Sequence, residues 1–561
     1  MKNITMKNIT MKNITLSVLI FLCLSFLSQG AYAQVYYEPD YYGKRDEWLR
    51  KAEEAKPELI SKEYRPLYLV QSVEDEAAYQ GWRVEKTAEM SSYLGRSMRE
   101  VPDVMLDFGR HMTGYFTFRI KTLRATQDAP IRIRFTFGEV PAEMVTPFDP
   151  FPGSLSRAWM QDEVLTIEEV DRDITIARRI SGRYMRVELL GDSVGFDYAM
   201  EDIRFTALSS TDSLMVEPLG EETPEMIRKI NDISVATLRE CMQTVYEDGP
   251  KRDHRLWVGD LYLESLANRY SFRNFDLTKR CLYLFAALTA EDGTIISNLY
   301  ENPKPHPQVG SYMLTYSLLY NSTLLEYLKD TGDMDTAADL WPVAVRQIDD
   351  ALSYVNEAYV FDKSRKSVWL FFDWRGGLDI DASIQAAVIF ALNQTYELAE
   401  ILGKENEVKH WKTMERNMID AARKHMYDKR RGVVLSGEDR QLSLMSQAWM
   451  VKAGVLDGKE AQKAISTALN DESTVMPGTP YATHYLIDAM LQCGMYQEGK
   501  AYLIDYWGGM VKKGADTFWE AYDPNDDYIS PYNFHPLNSY CHAWSCTPVY
   551  FIYTYPDIFL K

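Results

Sequence analysis

Pro218-Leu219-Gly220-Glu221-Glu222-Thr223-Pro224-Glu225 separates two textures in this chain, and the fold follows from what lies on either side of it. Downstream the pattern is helical. Thr223-Pro224-Glu225 starts a helix, because proline at the first helical position gives up an N–H that the first turn leaves unbonded in any case. Apolar residues then recur at helical spacing at Ile227, Ile230, Ile233, Leu238 and Met242. The same periodicity predicts helices over 312–329, 337–357, 382–402, 406–426, 441–453, 479–493 and 497–510, with turns such as Asp330-Thr331-Gly332-Asp333 between them. Roughly 340 residues of helix and turn hold about a dozen helices of average length. No repeat at the ~34- or ~40-residue period of a helical solenoid is visible. The expected arrangement is a closed toroid of paired helices whose loops converge at one end on a central cleft.

Upstream the texture is β. Phe116-Thr117-Phe118-Arg119-Ile120-Lys121, Ile131-Arg132-Ile133-Arg134-Phe135-Thr136-Phe137 and Tyr184-Met185-Arg186-Val187-Glu188-Leu189 alternate apolar and polar residues, as a strand with one buried face does. Short strands without helices between them, from about Leu67 to Ser210, predict an antiparallel β-sandwich of jelly-roll type. The chain is therefore expected to be multidomain, with the β-sandwich over 34–215 and the toroid over 216–561. Residues 34–60 read as a strand-poor lead-in, and 145–153, rich in Pro and Phe, as a loop.

Bulk composition narrows the function. A chain of 561 residues, 46% hydrophobic and 25% charged, is globular and large enough to bury a sizeable core. Its formal net charge of −20 argues against nucleic-acid binding and against docking on an anionic membrane surface. The 12 Trp and 37 Tyr suit core packing and, equally, stacking on sugar rings. MKNIT occurs three times, at Met1, Met6 and Met11, before an apolar run from Leu16 to Leu27 and then Ser28-Gln29-Gly30-Ala31-Tyr32-Ala33. Lysine, apolar core and Ala-x-Ala make a secretory signal peptide cleaved after Ala33, with a run too short to span a bilayer comfortably. An exported, periplasmic product without stable membrane insertion is expected. Loss of residues 1–33 removes three lysines and no acid, taking the charge to −23. Five cysteines then remain, Cys241, Cys281, Cys493, Cys541 and Cys546, expected as buried small hydrophobes with room for one disulfide.

Three segments of the helical half concentrate carboxylates and tryptophans between helices. The first is Asp248-Gly249-Pro250-Lys251-Arg252-Asp253-His254-Arg255-Leu256-Trp257-Val258-Gly259-Asp260. The second is Val368-Trp369-Leu370-Phe371-Phe372-Asp373-Trp374-Arg375. The third runs from Gly514-Ala515-Asp516-Thr517-Phe518-Trp519-Glu520 to Asn538-Ser539-Tyr540-Cys541-His542-Ala543-Trp544. Carboxylates from distant segments suit glycoside hydrolysis, in which one acid protonates the leaving oxygen while a second carboxylate activates water or attacks the anomeric carbon. Each residue also has a purely local reading. Asp253 could be an ion partner of Arg255, Asp373-Trp374 a cap beside a core tryptophan, and His254 and His542 hydrogen-bonding groups. No phosphate loop, serine elbow or zinc motif is present, so neither a metal nor another cofactor is expected. The acidic run Asp523-Pro524-Asn525-Asp526-Asp527 reads as a solvated loop before a calcium site.

Taken together these segments resemble a known family. Asp248 to Asp253 and Trp257 to Asp260 resemble the Asp-Cys-Pro-x-Arg-(Asp)-Glu-Arg-x-Gly-Trp-Thr-Gly-Asp signature of glycoside hydrolase family 78, the α-L-rhamnosidases. Gly514 to Glu520 resembles its Gly-Ala-Thr-Thr-x-Trp-Glu, Asn538 to His542 its Asn-Ser-x-x-His, and Leu106 to Gly114 the Asp-Phe-Gly opening of its β domain. The resemblance covers most of residues 100–560. It implies an (α/α)6 barrel and inverting hydrolysis of terminal α-L-rhamnose or a related sugar from plant oligosaccharides or polysaccharides. Glu520 then takes the base position and Asp253 the acid position, which falls on His254 in the alternative alignment. Asp248, Arg252, Trp257 and Asp260 are implied to bind sugar, as are His254, Asp373, Trp374, Trp519 and His542. The chain departs from the pattern in lacking the usual Glu acid and the Gly before Trp257. That departure leaves two alternatives open: a polysaccharide lyase using His254 with Arg252 and Arg255, or a glycan-binding relative without turnover.

Overall fold

The computed structural model describes residues 39–124, 127 and 129–561. The expected signal peptide, 1–33, lies outside the described residues. The β half comprises β1 (Ile60–Tyr64), β2 (Tyr68–Glu74), β3 (Trp82–Glu89), β4 (Asp103–Arg124), β5 (Ile131–Gly138), β6 (Asp162–Ile167), β7 (Asp173–Thr175), β8 (Ile180–Gly191) and β9 (Asp197–Ser209). All pair antiparallel, and β4 organises them. Its first half lies between β2 and β8 in the order β3-β2-β4-β8-β5-β6, and its second half between β9 and β7. The register with β8 breaks between Asp107 and Met112, where one layer passes into the other.

The layers meet face to face, as the alternating sequence requires. Phe118 of β4 and Phe135 of β5 are not on paired strands, yet their rings lie 4.7 Å apart. Ile131, Ile133, Phe135 and Phe137 are buried on one side of β5, while Arg132 faces solvent on the other.

The helical half follows, as expected. Its helices are α2 (Glu225–Cys241), α3 (Val258–Tyr270), α4 (Phe275–Ala287), α5 (Leu314–Thr331), α6 (Met334–Ser353), α7 (Asp381–Leu402), α8 (Trp411–His425), α9 (Leu444–Lys452), α10 (Gly458–Leu469), α11 (Pro480–Gln492), α12 (Tyr496–Lys512) and α13 (Pro548–Thr554), preceded by α1 (Arg45–Glu54). From α2 onward they form six hairpins in a ring. The inner helices α3, α5, α7, α9 and α11 pack each on the next, and α13 packs back on α3.

Burial separates the two rings. Inner α9 and α11 are buried at nearly every position, whereas outer α10 buries one stripe, Ala461, Ala464, Ile465 and Ala468. The connections that lead from an outer into an inner helix, 242–257, 288–313, 354–380, 426–443, 470–479 and 513–547, gather at one mouth of the ring.

Residues 39–59 hold no strand and the acidic run 523–527 is a largely exposed loop, as expected, and three details add to that reading. The lead-in forms α1, which packs on α4 of the helical half, with Trp48 buried and its indole N–H donating to Asp339 at 2.9 Å. The first acidic segment is not all turn, since α3 begins inside it at Val258. Asp527 and Asp523 of the acidic run pair with Lys513 and Arg375 rather than standing free. The five cysteines are buried and unpaired. Among the described residues no helix is long and apolar enough to cross a membrane.

Candidate active site

Backbone hydrogen bonds bring the first and third segments together. His542 N–H donates to Phe518 C=O at 2.9 Å, Ala543 N–H to Asp248 C=O at 2.8 Å, and Glu520 N–H to Ser539 C=O at 2.9 Å. The approach is close enough to need glycine at 249, where a Cβ would lie 2.8 Å from Ser539 Oγ and 3.4 Å from Cys541 C=O. The loop then turns back on itself. Asp248 N–H donates to Arg255 C=O at 3.0 Å, and Asp253 and His254 both take positive φ, 64° and 53°. Two consecutive left-handed residues are costly and persist only where the surroundings hold them. Here the turn thrusts Asp253 toward the mouth of the ring.

Arg252 is the hub. Its buried guanidinium donates from Nη2 to both Glu520 oxygens, at 2.9 and 2.8 Å, and from Nε to Leu537 C=O at 3.0 Å. Its Nη1 lies 3.1 Å from Asp253 Oδ1, so one guanidinium bridges the two carboxylates. Tyr532 OH also donates to Glu520, and Ser539 N–H donates to Glu520 Oε2 at 3.0 Å. Burial pushes the Glu520 carboxyl up, but Arg252, His542, Tyr532 and the Ser539 N–H outweigh it and hold the group below its ordinary value.

Asp248 and Asp260 go the other way. Burial, and then neighbouring carboxylates, push both well above the usual range, so they carry protons more readily. Burial lowers His542 to about 4, which keeps it neutral.

These groups line one cavity at the mouth of the ring. Its polar lining is Asp248, Asp253, Asp260, Glu520, Tyr532 and His542, and its apolar lining is Trp257, Met313, Tyr316, Trp369, Phe371, Trp374 and Trp544. Trp369 and Trp374 stand at the rim, 48% and 40% exposed. Asp260 Oδ1, Trp257 Nε1 and His542 Nδ1 are buried here without a hydrogen-bond partner among the described residues.

Four of the residues named from sequence do not line the cavity: Arg252, expected to bind sugar, is instead taken up by Glu520, Asp253 and Leu537 C=O, and His254, Asp373 and Trp519 turn elsewhere. His254 turns toward the β domain, edge-on to Trp159 at 5.9 Å, and burial with Arg179 and Arg178 lowers it to about 3. It is therefore not placed to act as the acid, nor as the base that a lyase would need. Asp373 accepts from Gly478 N–H at 2.7 Å and Thr479 OH at 2.8 Å, fixing the start of α11. Trp519 stacks on Tyr79 of the β domain at 4.1 Å, behind Glu520.

Sequence reasoning missed Tyr532, which lies between the two quoted parts of the third segment with no charged neighbour to mark it. It also missed Met313 and Tyr316, which reach the cavity from α5 and its approach. In addition, the β domain covers Tyr532, with Phe148 and Met160 packed against it, Phe534 and Leu537.

Comparison with known proteins agrees with this geometry. A family model for the glycosyl hydrolase family 78 alpha-rhamnosidase N-terminal domain matches residues 66–207. One for the bacterial alpha-L-rhamnosidase 6 hairpin glycosidase domain matches residues 223–555. No curated protein matches. Among solved structures, a rhamnosidase from Klebsiella oxytoca with rhamnose bound is 36% identical, with a TM-score of 0.87 over 91% of this chain and 99% of that one. A family 78 rhamnosidase of Bacillus sp. GL1 shares the fold at 19% identity and TM-score 0.65, over 81% of this chain and 46% of that one. An α-L-rhamnosidase of Streptomyces avermitilis complexed with L-rhamnose does so at 16% and 0.61, over 89% and 44%.

Proposed function

This chain belongs to glycosyl hydrolase family 78, and from that membership we propose an exported exo-α-L-rhamnosidase that cleaves terminal rhamnose from plant glycans with inversion at the anomeric carbon. The observation that carries the reading is the pair of carboxylates on opposite ends of the Arg252 guanidinium, Glu520 clamped by donors and Asp253 on a strained turn at the mouth. Glu520, held ionised, serves as the base. It takes a proton from water as the water oxygen bonds to the anomeric carbon. Asp253 gives its proton to the glycosidic oxygen as the bond from that oxygen to the carbon breaks. Each turnover leaves Glu520 protonated and Asp253 ionised, and exchange with solvent restores both.

The aromatic walls and the unpartnered atoms of Asp260, Trp257 and His542 suit a sugar, with an apolar ring face and hydroxyls at its edge. Trp369 and Trp374 at the rim then meet the leaving side of the substrate. Export rests on the Lys, apolar and Ala-x-Ala pattern of residues 1–33.

The test is release of L-rhamnose from a panel of rhamnose-containing oligosaccharides, identified by sugar. Glu520→Gln is expected to lower kcat by roughly 10²–10⁴-fold on every substrate. Asp253→Asn is expected to do the same on sugars but far less on an aryl rhamnoside, whose leaving group needs little protonation. Activity that survives Glu520→Gln intact would remove the base assigned here.

A further inference from the structure

Buried charges of the β domain converge on the back of the loop that carries Arg252. Lys251 Nζ donates to Glu143 Oε1 at 2.8 Å and lies 3.0 Å from Glu139 Oε2, both on the segment leaving β5. Glu139 Oε2 also accepts from Tyr540 N–H at 2.6 Å, and its Oε1 lies 2.8 Å from His111 Nε2 of β4. Lys251 and Tyr540 are the chain neighbours of Arg252 and Ser539, two of the groups that donate to Glu520. One β-domain carboxylate therefore ties both arms of the clamp on Glu520.

A buried ion-pair network adds little stability over an apolar contact of equal volume. What it adds here is direction, because an ammonium held between two carboxylates fixes the stem of the loop from behind. We propose that Glu139 is a positioning residue for the reaction, holding Lys251 and Tyr540 so that Arg252 and the Ser539 N–H keep Glu520 aligned. The proposal rests on the reading of Glu520 as the base. It makes the β domain a working part of the active site.

Glu139→Gln keeps the volume but removes the negative charge that holds Lys251, and leaves a single acceptor oxygen where the carboxylate offers two. Lys251→Met keeps the stem and removes the ammonium. Arg252, Tyr532, His542 and Asp260 face Glu520, with Asp253 beyond the guanidinium; neither substitution replaces any of them, although Glu139→Gln also removes a charge that acts on His542, which Lys251→Met leaves in place. The full chain would be assayed for kcat and KM on an aryl α-L-rhamnoside and melted thermally. Glu520 would be titrated by carboxyl ¹³C NMR, assigned against Glu520→Gln.

Both variants are expected to lower kcat by roughly 10- to 100-fold with KM within about threefold. The Glu520 titration, and with it the acid limb of kcat/KM, should rise by about one pH unit. Should Glu139→Gln fail to fold, Lys251→Met carries the same prediction. Unchanged kcat and titration, or a loss of kcat that follows melting while Glu520 titrates as in the parent, would overturn the proposal. A parent protein that releases no rhamnose would instead sink the function above, and the Glu520 titration would still decide this one.

Discussion

At Glu520 burial and charge pull in opposite directions, and the donors win. A carboxyl only 2% exposed would ordinarily hold its proton. The Arg252 guanidinium, the Tyr532 hydroxyl and the Ser539 N–H favour the ionised form, and the net shift is downward. As the proposed base, Glu520 works only when ionised, so activity is expected to persist as pH falls until it passes the folded pKa, which lies below the ordinary ~4.3 of glutamate. Tyr532→Phe removes one donor and is expected to move the acid limb of kcat/KM to higher pH. A limb that stays in place would show that the hydroxyl does not help hold Glu520 ionised. It was the resemblance to family 78 that singled out Asp253 and Glu520, since the residues around each left a purely local role open; both line the cavity. Sequence could not sort lining residues from packing residues. Trp519 and Glu520 are adjacent in the chain, yet one stacks on Tyr79 and the other faces the cavity. That outcome depends on partners several hundred residues away.

Among the elements, α3 shows why a buried helix is hard to see. It is buried on every side through most of its length, so no polar stripe betrays its period, and its first turn carries the charges that read as a loop. Outer helices α2, α6, α8 and α12 and the longer inner ones were legible within a few residues because their spacing and turn residues agree, whereas outer α4 and α10 were not read from the sequence. The lead-in helix α1 was not, since only Trp48 and Ala52 of its ten residues are buried. Helix α3 must also approach α5 closely at the cavity floor. A Cβ on Gly259 would lie 2.5 Å from the Tyr316 ring, which lines the cavity and cannot retreat without disturbing Trp257 and Phe371 around it. Gly259→Ala is therefore expected to cost about 1–3 kcal/mol of stability and to lower kcat. Chemical denaturation measures the first, and unchanged stability would mean that the ring has room to move.

Over the whole molecule, the change of texture at Pro218 marks the passage from sheet to helical ring, and the loops expected to converge do converge. What sequence did not disclose is the seam. Lys251 with Glu143, Arg179 with Glu247, and Phe148 with Phe534 join residues that are distant in the chain, and no local pattern announces them. Through that seam the β domain backs the loop and the tyrosine that hold Glu520. In the proposed reaction water attacks from the Glu520 side in a single displacement while Asp253 protonates the leaving oxygen on the other. Proton NMR during the first minutes of hydrolysis of an α-L-rhamnoside, before the free sugar mutarotates, reads this most directly. With inversion, β-L-rhamnose appears first and the α anomer grows in later; α-L-rhamnose as the first product would rule out the single displacement.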